Sequence, residues 1–536
     1  MNIMRIQLGL LFFISAAYLM AQTELPKGQI EVVKDFEVRL METKKIRIIP
    51  HPIIIDSTSR QFEYKLLAPS PSIEYIIPEL KPLAIEPGQK PTYYPLFAKA
   101  GYGSPNSFLG QVSYDYLQNE IFDWGLDFKH LSANNKKLPL QKFSESSGRI
   151  NGSYLMAESI QLEGYIDGQF ENHYFYGASE IPTNPDALMR SFKRYDINFE
   201  ASNSASENPL FQYKGLLQYF FDKDDLGTRE RTIKLGGEVQ TLLGKEENPI
   251  GIKALADLSK MKDVKEKSIN NILVEPFFKY HSGNFKIHLG GIVLLKTDNN
   301  EVLPAFELSY KILPLVMVQL GWQGEVFKNN FHYLSSYNPY VSTRIDSIGN
   351  MISRRLYAGV KGVSGNLNFE LTCGYTKFKS MAFFLQDPDK SEEEFSPVYD
   401  DGSFIGIEGS LFFDVLKNVS IRSNAFTRFY SLKNEEKPWH MPTFGIDAIT
   451  SYTGGGDIYH VSLVLHAENG LPYRTPGGTE TRLEPLLDLN LHGDYFFTSS
   501  LGSFLELNNL FGNNRERWAG YPSFGFNAKA GVMLRM

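Results

Sequence analysis

The chain finishes on Phe526–Met536, FNAKAGVMLRM. Phe526, Ala528, Ala530, Val532, Leu534 and Met536 fall on one side of an extended chain, and Asn527, Lys529, Met533 and Arg535 on the other. A period of two with one apolar face marks a half-buried β-strand. Termini usually fray into polar residues. A strand that keeps its pattern to the last residue is expected to be paired there.

The same texture runs back to Tyr94. In QVSYDYL, Val112, Tyr114 and Tyr116 oppose Gln111, Ser113 and Asp115; in DWGLDFKHL, Trp124, Leu126 and Phe128 oppose Asp123, Asp127 and Lys129. GNLNFELTCGY places Leu367, Phe369, Leu371, Cys373 and Tyr375 opposite Asn368, Glu370 and Thr372. About 22 such segments can be counted, a number close to what 22 strands of ~9–11 spanning residues plus connections would require. Alternation also occurs in soluble sandwiches, so the connections decide. Reading back from the end, GNNRERWAG is long and TSS short, NGLPYRTPGGTETR long and GGGD short, SLKNEEKPWH long and LKN short. AFFLQDPDKSEEEFSPVYDD is long and VSGN short, VFKNNFHYLSSYNPYVSTRIDSIG long and LP short, SKMKDVKEKS long and HSGN short. The rule blurs near SNSASENPL. Short turns at one end and long loops at the other belong to an up-and-down barrel that spans a membrane. The expected fold is therefore all-β, a transmembrane antiparallel β-barrel of about 22 strands over residues 94–536. The last strand closes it against the first.

Residues 1–22, MNIMRIQLGLLFFISAAYLMAQ, read as a secretory signal peptide: one Arg, an apolar run, then Ala21-Gln22. The run is short of the ~20 residues a spanning helix needs. Residues 23–93 hold nine of the 28 prolines. Proline removes ladder donors, so this segment is expected to be largely extended and irregular. Only QIEVVKDFEVRL within it has the look of a strand or short helix. The 54 basic and 61 acidic residues give a net charge of −7, which argues against a nucleic-acid partner. The single Cys373 excludes an intramolecular disulfide framework. Aromatics make up 13% of the chain, and enrichment in Tyr and Trp suits the two interfaces of a bilayer, though sugar-binding β proteins share it.

LLDLNLHGDYFFTSSLGSFLELNNLFGNNRERWAGYPSFGFNAKAGVMLRM resembles the last three strands of TonB-dependent receptors. The likeness is carried by Asn508, Asn509, Leu510 and Phe511 (NNLF), by Gly520, Tyr521 and Pro522 (GYP), and by Gly525. The Pro-rich leader is similar to that of plugless members of this class in Bacteroidota. The resemblance implies a 22-strand outer-membrane barrel of a Gram-negative cell. Three departures stand against it. Residues 23–93 are too few for the family's plug, Phe526 stands where an Arg commonly follows the Gly, and Met536 replaces the closing aromatic. These count against energised uptake through TonB.

No constellation points to an enzyme or a cofactor. His460 and His466 are six residues apart on one strand, about 20 Å, too far to share a metal ion. Candidate ligand contacts lie in the loop KNNFHYLSSYNPY, where Phe331, Tyr333, Tyr337 and Tyr340 stand among asparagines, a mixture suited to sugar or peptide. Two functions are open: a channel or transporter for solutes, or a structural or assembly subunit of an outer-membrane complex, with residues 23–93 as reduced plug or periplasmic docking arm for an envelope protein.

Overall fold

The computed structural model describes residues 93–536, apart from loop pieces at 118–120, 157–158, 178–182, 204–209, 245–247, 264, 297–298, 343–344, 346–347, 388–390, 476 and 514. The signal peptide and residues 23–92 of the Pro-rich segment lie outside the described residues.

Twenty-two strands form one sheet. In chain order they are β1 Leu96–Ser104, β2 Ser107–Leu117, β3 Phe122–Asn134, β4 Lys142–Met156, β5 Ile160–Tyr174, β6 Met189–Ser202, β7 Gln212–Asp224 and β8 Arg229–Leu243. They continue as β9 Asn248–Lys262, β10 Glu266–Ser282, β11 Phe285–Leu295, β12 Glu301–Leu313, β13 Val316–Asn329, β14 Gly349–Ser364, β15 Leu367–Asp387 and β16 Ser391–Leu416. The last are β17 Val419–Leu432, β18 Phe444–Gly454, β19 Tyr459–Asn469, β20 Leu486–Phe496, β21 Leu501–Asn508 and β22 Asn527–Arg535. Each pairs antiparallel with the next, and β22 pairs with β1 from Phe97↔Arg535 to Ser104↔Ala528. The Leu96 N–H donates to the Met536 carbonyl at 3.0 Å, and the Met536 N–H to the Leu96 carbonyl at 2.9 Å. The alternating end of the chain is thus one side of a seam, and the barrel has no open edge, as a bilayer requires.

At one end the turns are two residues long at 283–284, 314–315, 365–366 and 417–418. At the other, connections run over 175–188, 330–348, 433–443, 470–485 and 509–526. In outer-membrane barrels the end with the short turns faces the periplasm. Two connections read as long loops are shorter than expected. SKMKDVKEKS is mostly strand, with β9 and β10 joined at 263–265, and the acidic DPDKSEEEF stretch is spanned by β15 and β16, which stop only at Asp387 and resume at Ser391. The strands of both hairpins, 15 to 26 residues long, exceed the ~9–11 that a bilayer crossing needs, so their far ends need no apolar outer face and charged residues can pair across the ladder. Lys260 and Glu266 do so at 2.7 Å.

The two faces separate as the alternation requires. Phe199, Leu217, Leu235, Ala256 and Ile272 lie abreast on β6 to β10, and the four large ones are exposed. One residue along, Asn198, Gln218, Lys234, Asp257 and Asn271 form a parallel row on the other face. An exposed apolar belt of this extent is a lipid-facing surface. Aromatic pairs flank it, Phe285–Tyr310 at 4.6 Å and Tyr452–Tyr459 at 5.8 Å near the short turns and Phe170–Tyr195 at 5.7 Å towards the other end. Leu235→Arg is expected to lower stability by ~2–4 kcal/mol if it sits near mid-bilayer, and the lumen-facing Asn198→Arg far less. Reversible unfolding from lipid vesicles measures both, and equal losses would reverse the facing.

Candidate functional site

Residues 330–348 leave β13 and fold over the barrel mouth. Asn330 starts a short helix, α1 (Phe331–Tyr337), by accepting the Tyr333 N–H at 3.1 Å. The first turn is also held from the wall. Buried Glu230 on β8 accepts the Asn330 side-chain amide at 2.5 Å and the His332 N–H at 3.0 Å. A carboxylate at a helix N-terminus complements its free N–H groups. On β6, Arg194 is 4% exposed and reaches Glu171 at 2.5 Å, Asp222 at 3.2 Å and the Ser335 hydroxyl at 3.3 Å. Arg190, 1% exposed, donates to the Val341 carbonyl at 3.2 Å. Lys267 on β10 donates to the Ile345 carbonyl.

Further along, the same connection meets the far side of the mouth. Tyr340 stacks on Tyr521 with ring centroids 3.7 Å apart, and Tyr176 packs edge-on against Tyr521 at 5.1 Å. Tyr521 belongs to 509–526, where Glu516–Trp518 and Tyr521–Pro522 make a small hairpin turning at Gly520, φ +82°. Trp518 packs against Tyr337, Phe384, Phe395 and His440, with centroids 5.2–5.8 Å away. Arg517 donates to the Tyr337 hydroxyl at 2.7 Å and the His440 carbonyl at 2.8 Å, and pairs with Glu468 at 3.0 Å. The connection thus leaves and re-enters the ring between β13 and β14, is held by β6, β8 and β10, and meets the link between β21 and β22 at Tyr340. These points lie roughly a quarter to two-fifths of the 22-strand ring apart, so a segment touching all three crosses the opening. Phe175, Phe331, Leu334, Val341, Phe384, Phe395 and Trp518 form its buried core.

The loop candidates divide within this cap. Phe331 is fully buried, and Tyr337 and Tyr340 pack against the same core. Tyr333 is 38% exposed and faces a cavity below. The NNLF and GYP residues build the loop's base and tip. Asn508 donates to the Asn527 side chain at 3.0 Å. Asn509 adopts φ +50°, gives its N–H to the Asn490 side chain at 2.8 Å, and donates from its own amide to the carbonyls of Asn513 and Phe524. Leu510 and Phe511 are exposed. The Pro522 carbonyl accepts from Gln141 at 2.6 Å and Tyr176 at 3.0 Å, and the Gly525 carbonyl accepts from Asn527 at 3.2 Å. Sequence reasoning did not single out Glu230, Arg190, Arg194, His440, Arg517 or Trp518. The dense run RERW in a long loop was the one local signal available.

His440 is 1% exposed. Its Nδ1 lies 2.8 Å from the Phe384 carbonyl, which can only accept, so Nδ1 carries the proton and Nε2 accepts the Ala519 N–H at 3.5 Å. Burial lowers its pKa to about 4, against the pull of the Phe384 carbonyl and with help from the Arg517 charge. The folded cap therefore holds a neutral ring that the opened cap would protonate below pH ~6.5. Stability rises above that pH to its full value and is lost as pH falls from ~6.5 towards 4, by up to ~3 kcal/mol. Protection of the loops from protease should fall over that window in the wild type, and His440→Gln should flatten the dependence.

Between α1 and the wall lies a cavity of about 440 Å³. The strands β4 to β10 line it, with Val326 and Lys328 of β13 and with Asn330, His332 and Tyr333 of the connection.

No protein-family model matches the chain, and no curated protein matches its sequence. Solved structures do. The pyoverdine outer-membrane receptor FpvA of Pseudomonas aeruginosa PAO1, bound to pyoverdine, is 10% identical with a TM-score of 0.63, over 84% of this chain and 79% of that one. The ferric-catecholate import receptor Fiu of E. coli K12, in a closed form, is 10% identical with a TM-score of 0.62, over 83% and 82%. The siderophore receptor PirA of Acinetobacter baumannii is 11% identical with a TM-score of 0.59, over 82% and 80%.

The fold is that of a TonB-dependent receptor barrel.

At this level of identity the likeness is one of architecture: the closed ring of 22 strands expected from the last three. The apolar belt of β6 to β10 is the lipid-facing wall that such a barrel presents. The cap and its contacts are described from this chain alone.

Proposed function

We propose that the protein is an outer-membrane channel or transporter for solutes, a TonB-dependent receptor-like barrel working without a standard plug. The observation that carries this reading is a polar cavity on the lumen wall beneath a connection that crosses the mouth. A site for a small molecule inside a transmembrane barrel, behind a closable entrance, is what import requires. The proteins it resembles in fold include an import receptor and siderophore receptors. Of the four loop aromatics, Tyr333 is the one placed to touch a solute in the cavity, while Phe331, Tyr337 and Tyr340 would act by holding the cap.

In this reading residues 1–22 export the chain, and residues 23–93 serve as a reduced plug or as a periplasmic arm for an envelope protein. With the mouth covered from outside, the arm is the more economical role. The three sequence departures weigh against energised uptake through TonB. One observation favours a second reading, a structural or assembly subunit: the cap is a packed aromatic core rather than a loose flap, and such a core suits a permanent seal.

Purification from native outer membranes, followed by reconstitution into liposomes, separates the two. An isolated barrel whose liposomes take up small solutes supports transport. A stable complex with envelope proteins and no solute uptake overturns it in favour of the scaffold.

A further inference from the structure

We infer that the cavity beneath α1 is a binding site for an uncharged oligosaccharide. The inference rests on the transport reading and names its substrate class.

The charge of the lining comes first. Arg149 pairs with Asp167 at 3.2 Å, and Lys328 pairs with Asp257 at 2.5 Å. Arg194 is committed to Glu171 and Asp222. Asp196 accepts from Gln218 at 2.9 Å and from the Tyr165 hydroxyl at 3.0 Å, and Lys234 sits one strand from both Gln218 and Asp257. With Glu171 and Asp222, which hold Arg194, five carboxylates stand around the four cations Arg149, Arg194, Lys234 and Lys328, so the cavity has no net positive field to draw in an anion. A polyanionic ferric chelate would find Arg149, Arg194 and Lys328 already engaged, and separating a desolvated pair costs more than one new contact returns.

The donors and acceptors point to hydroxyls. Carboxylates tied to amides and guanidinium groups, as in Asp196–Gln218 and Asp167–Arg149, keep spare lone pairs and N–H groups at fixed spacing. A sugar hydroxyl both donates and accepts, so it can bridge such a couple without breaking it. The third feature is aromatic. The His332 ring lies 4.1 Å from that of Phe220, and the Tyr333 ring stands partly exposed at the roof. Ring faces pack against the C–H face of a pyranose while the polar couples take its edge. The volume falls within the ~300–1,000 Å³ of small-molecule sites.

The test uses the full-length protein in detergent. Calorimetric titration is run with neutral gluco-, manno- and galacto-oligosaccharides of several lengths, with a uronic-acid oligosaccharide, and with a ferric tris-catecholate. The expected result is saturable binding of at least one neutral series, with weaker or no binding of the two anionic probes. Tyr333→Ala and Gln218→Ala should each weaken it at least tenfold. Tyr333→Phe, which keeps the ring, should stay within threefold, a pattern that misfolding would not produce. Preferential binding of the uronic-acid probe or the catecholate, or no binding of any neutral series at millimolar concentration, would overturn the inference. Solute uptake by liposomes is read separately. Uptake without saccharide binding sinks only the substrate class, while saccharide binding without uptake sinks the transport reading and leaves the site standing.

Discussion

Gly531→Val should prevent the barrel from closing. Gly531 pairs with Gly101 across the seam between β22 and β1. A Cβ at Gly531 would stand 2.0 Å from the Ala100 carbonyl oxygen and 2.5 Å from the Gly101 Cα, both backbone atoms that cannot swing away. Phe504 fills the space that the two glycines leave. Its ring would lie 2.6 Å from the new Cβ, and Lys99 covers it at 3.9 Å from the centroid. Overfilling a packed site costs ~1–3 kcal/mol where side chains can shift. Here the clash is with the ladder itself, so the expected cost is at least ~3 kcal/mol, and it falls on the one pairing that removes the sheet's edges. The variant should lose the compact, heat-modifiable band that folded barrels show on unheated gels. Gly493→Ala, where a Cβ meets nothing, should keep it. A Gly531→Val protein that folds as well as Gly493→Ala would show that the seam is not closed as described.

Trp518→Ala should open the cap while leaving the barrel folded. Trp518 is 6% exposed and joins aromatic rings from four other segments of chain, and its neighbour Arg517 holds Tyr337, His440 and Glu468. Removing a buried Trp typically costs ~3–5 kcal/mol. The loss should be local, because the cap and the strand ladder are separate cooperative units. Loop peptides should become sensitive to added protease on intact cells, and the heat-modifiable band should survive. Equal resistance in wild type and variant would mean that the Trp518 cluster does not hold the loops.

The barrel was legible in the residues because a membrane imposes its pattern on every strand. Val532 and Lys529 had to take opposite faces, and the connections had to alternate. The seam followed from one strand that kept its pattern to Met536. Beyond the bilayer that constraint lapses. Charged pieces such as SKMKDVKEKS and DPDKSEEEF read as loops because their strands pair without an apolar outer face. The cap was invisible for a different reason. Its core joins Phe175, Phe331 and Trp518, which stand in three separate connections, with Phe395 near the start of β16, and the four share no period. Phe331, Tyr337 and Tyr340 were noticed as loop aromatics, but no local pattern tells a ring that packs from a ring that binds. The family-like NNLF and GYP pieces are explained by backbone needs, the left-handed Asn509 at the loop's base and Gly520 at its tip.

The most direct test is the conductance of planar bilayers holding single barrels. Two forms are compared, both lacking residues 27–90 so that this segment cannot contribute to any block. One keeps the cap, and the other has residues 331–345 replaced by a short Gly-Ser link. A mouth covered by 330–348 predicts that the first is shut for most of the time and opens only in brief events, enough for slow solute uptake, and that the second conducts in large, uniform, lasting steps. Equal conductance in the two forms would contradict the cap as the barrel's seal.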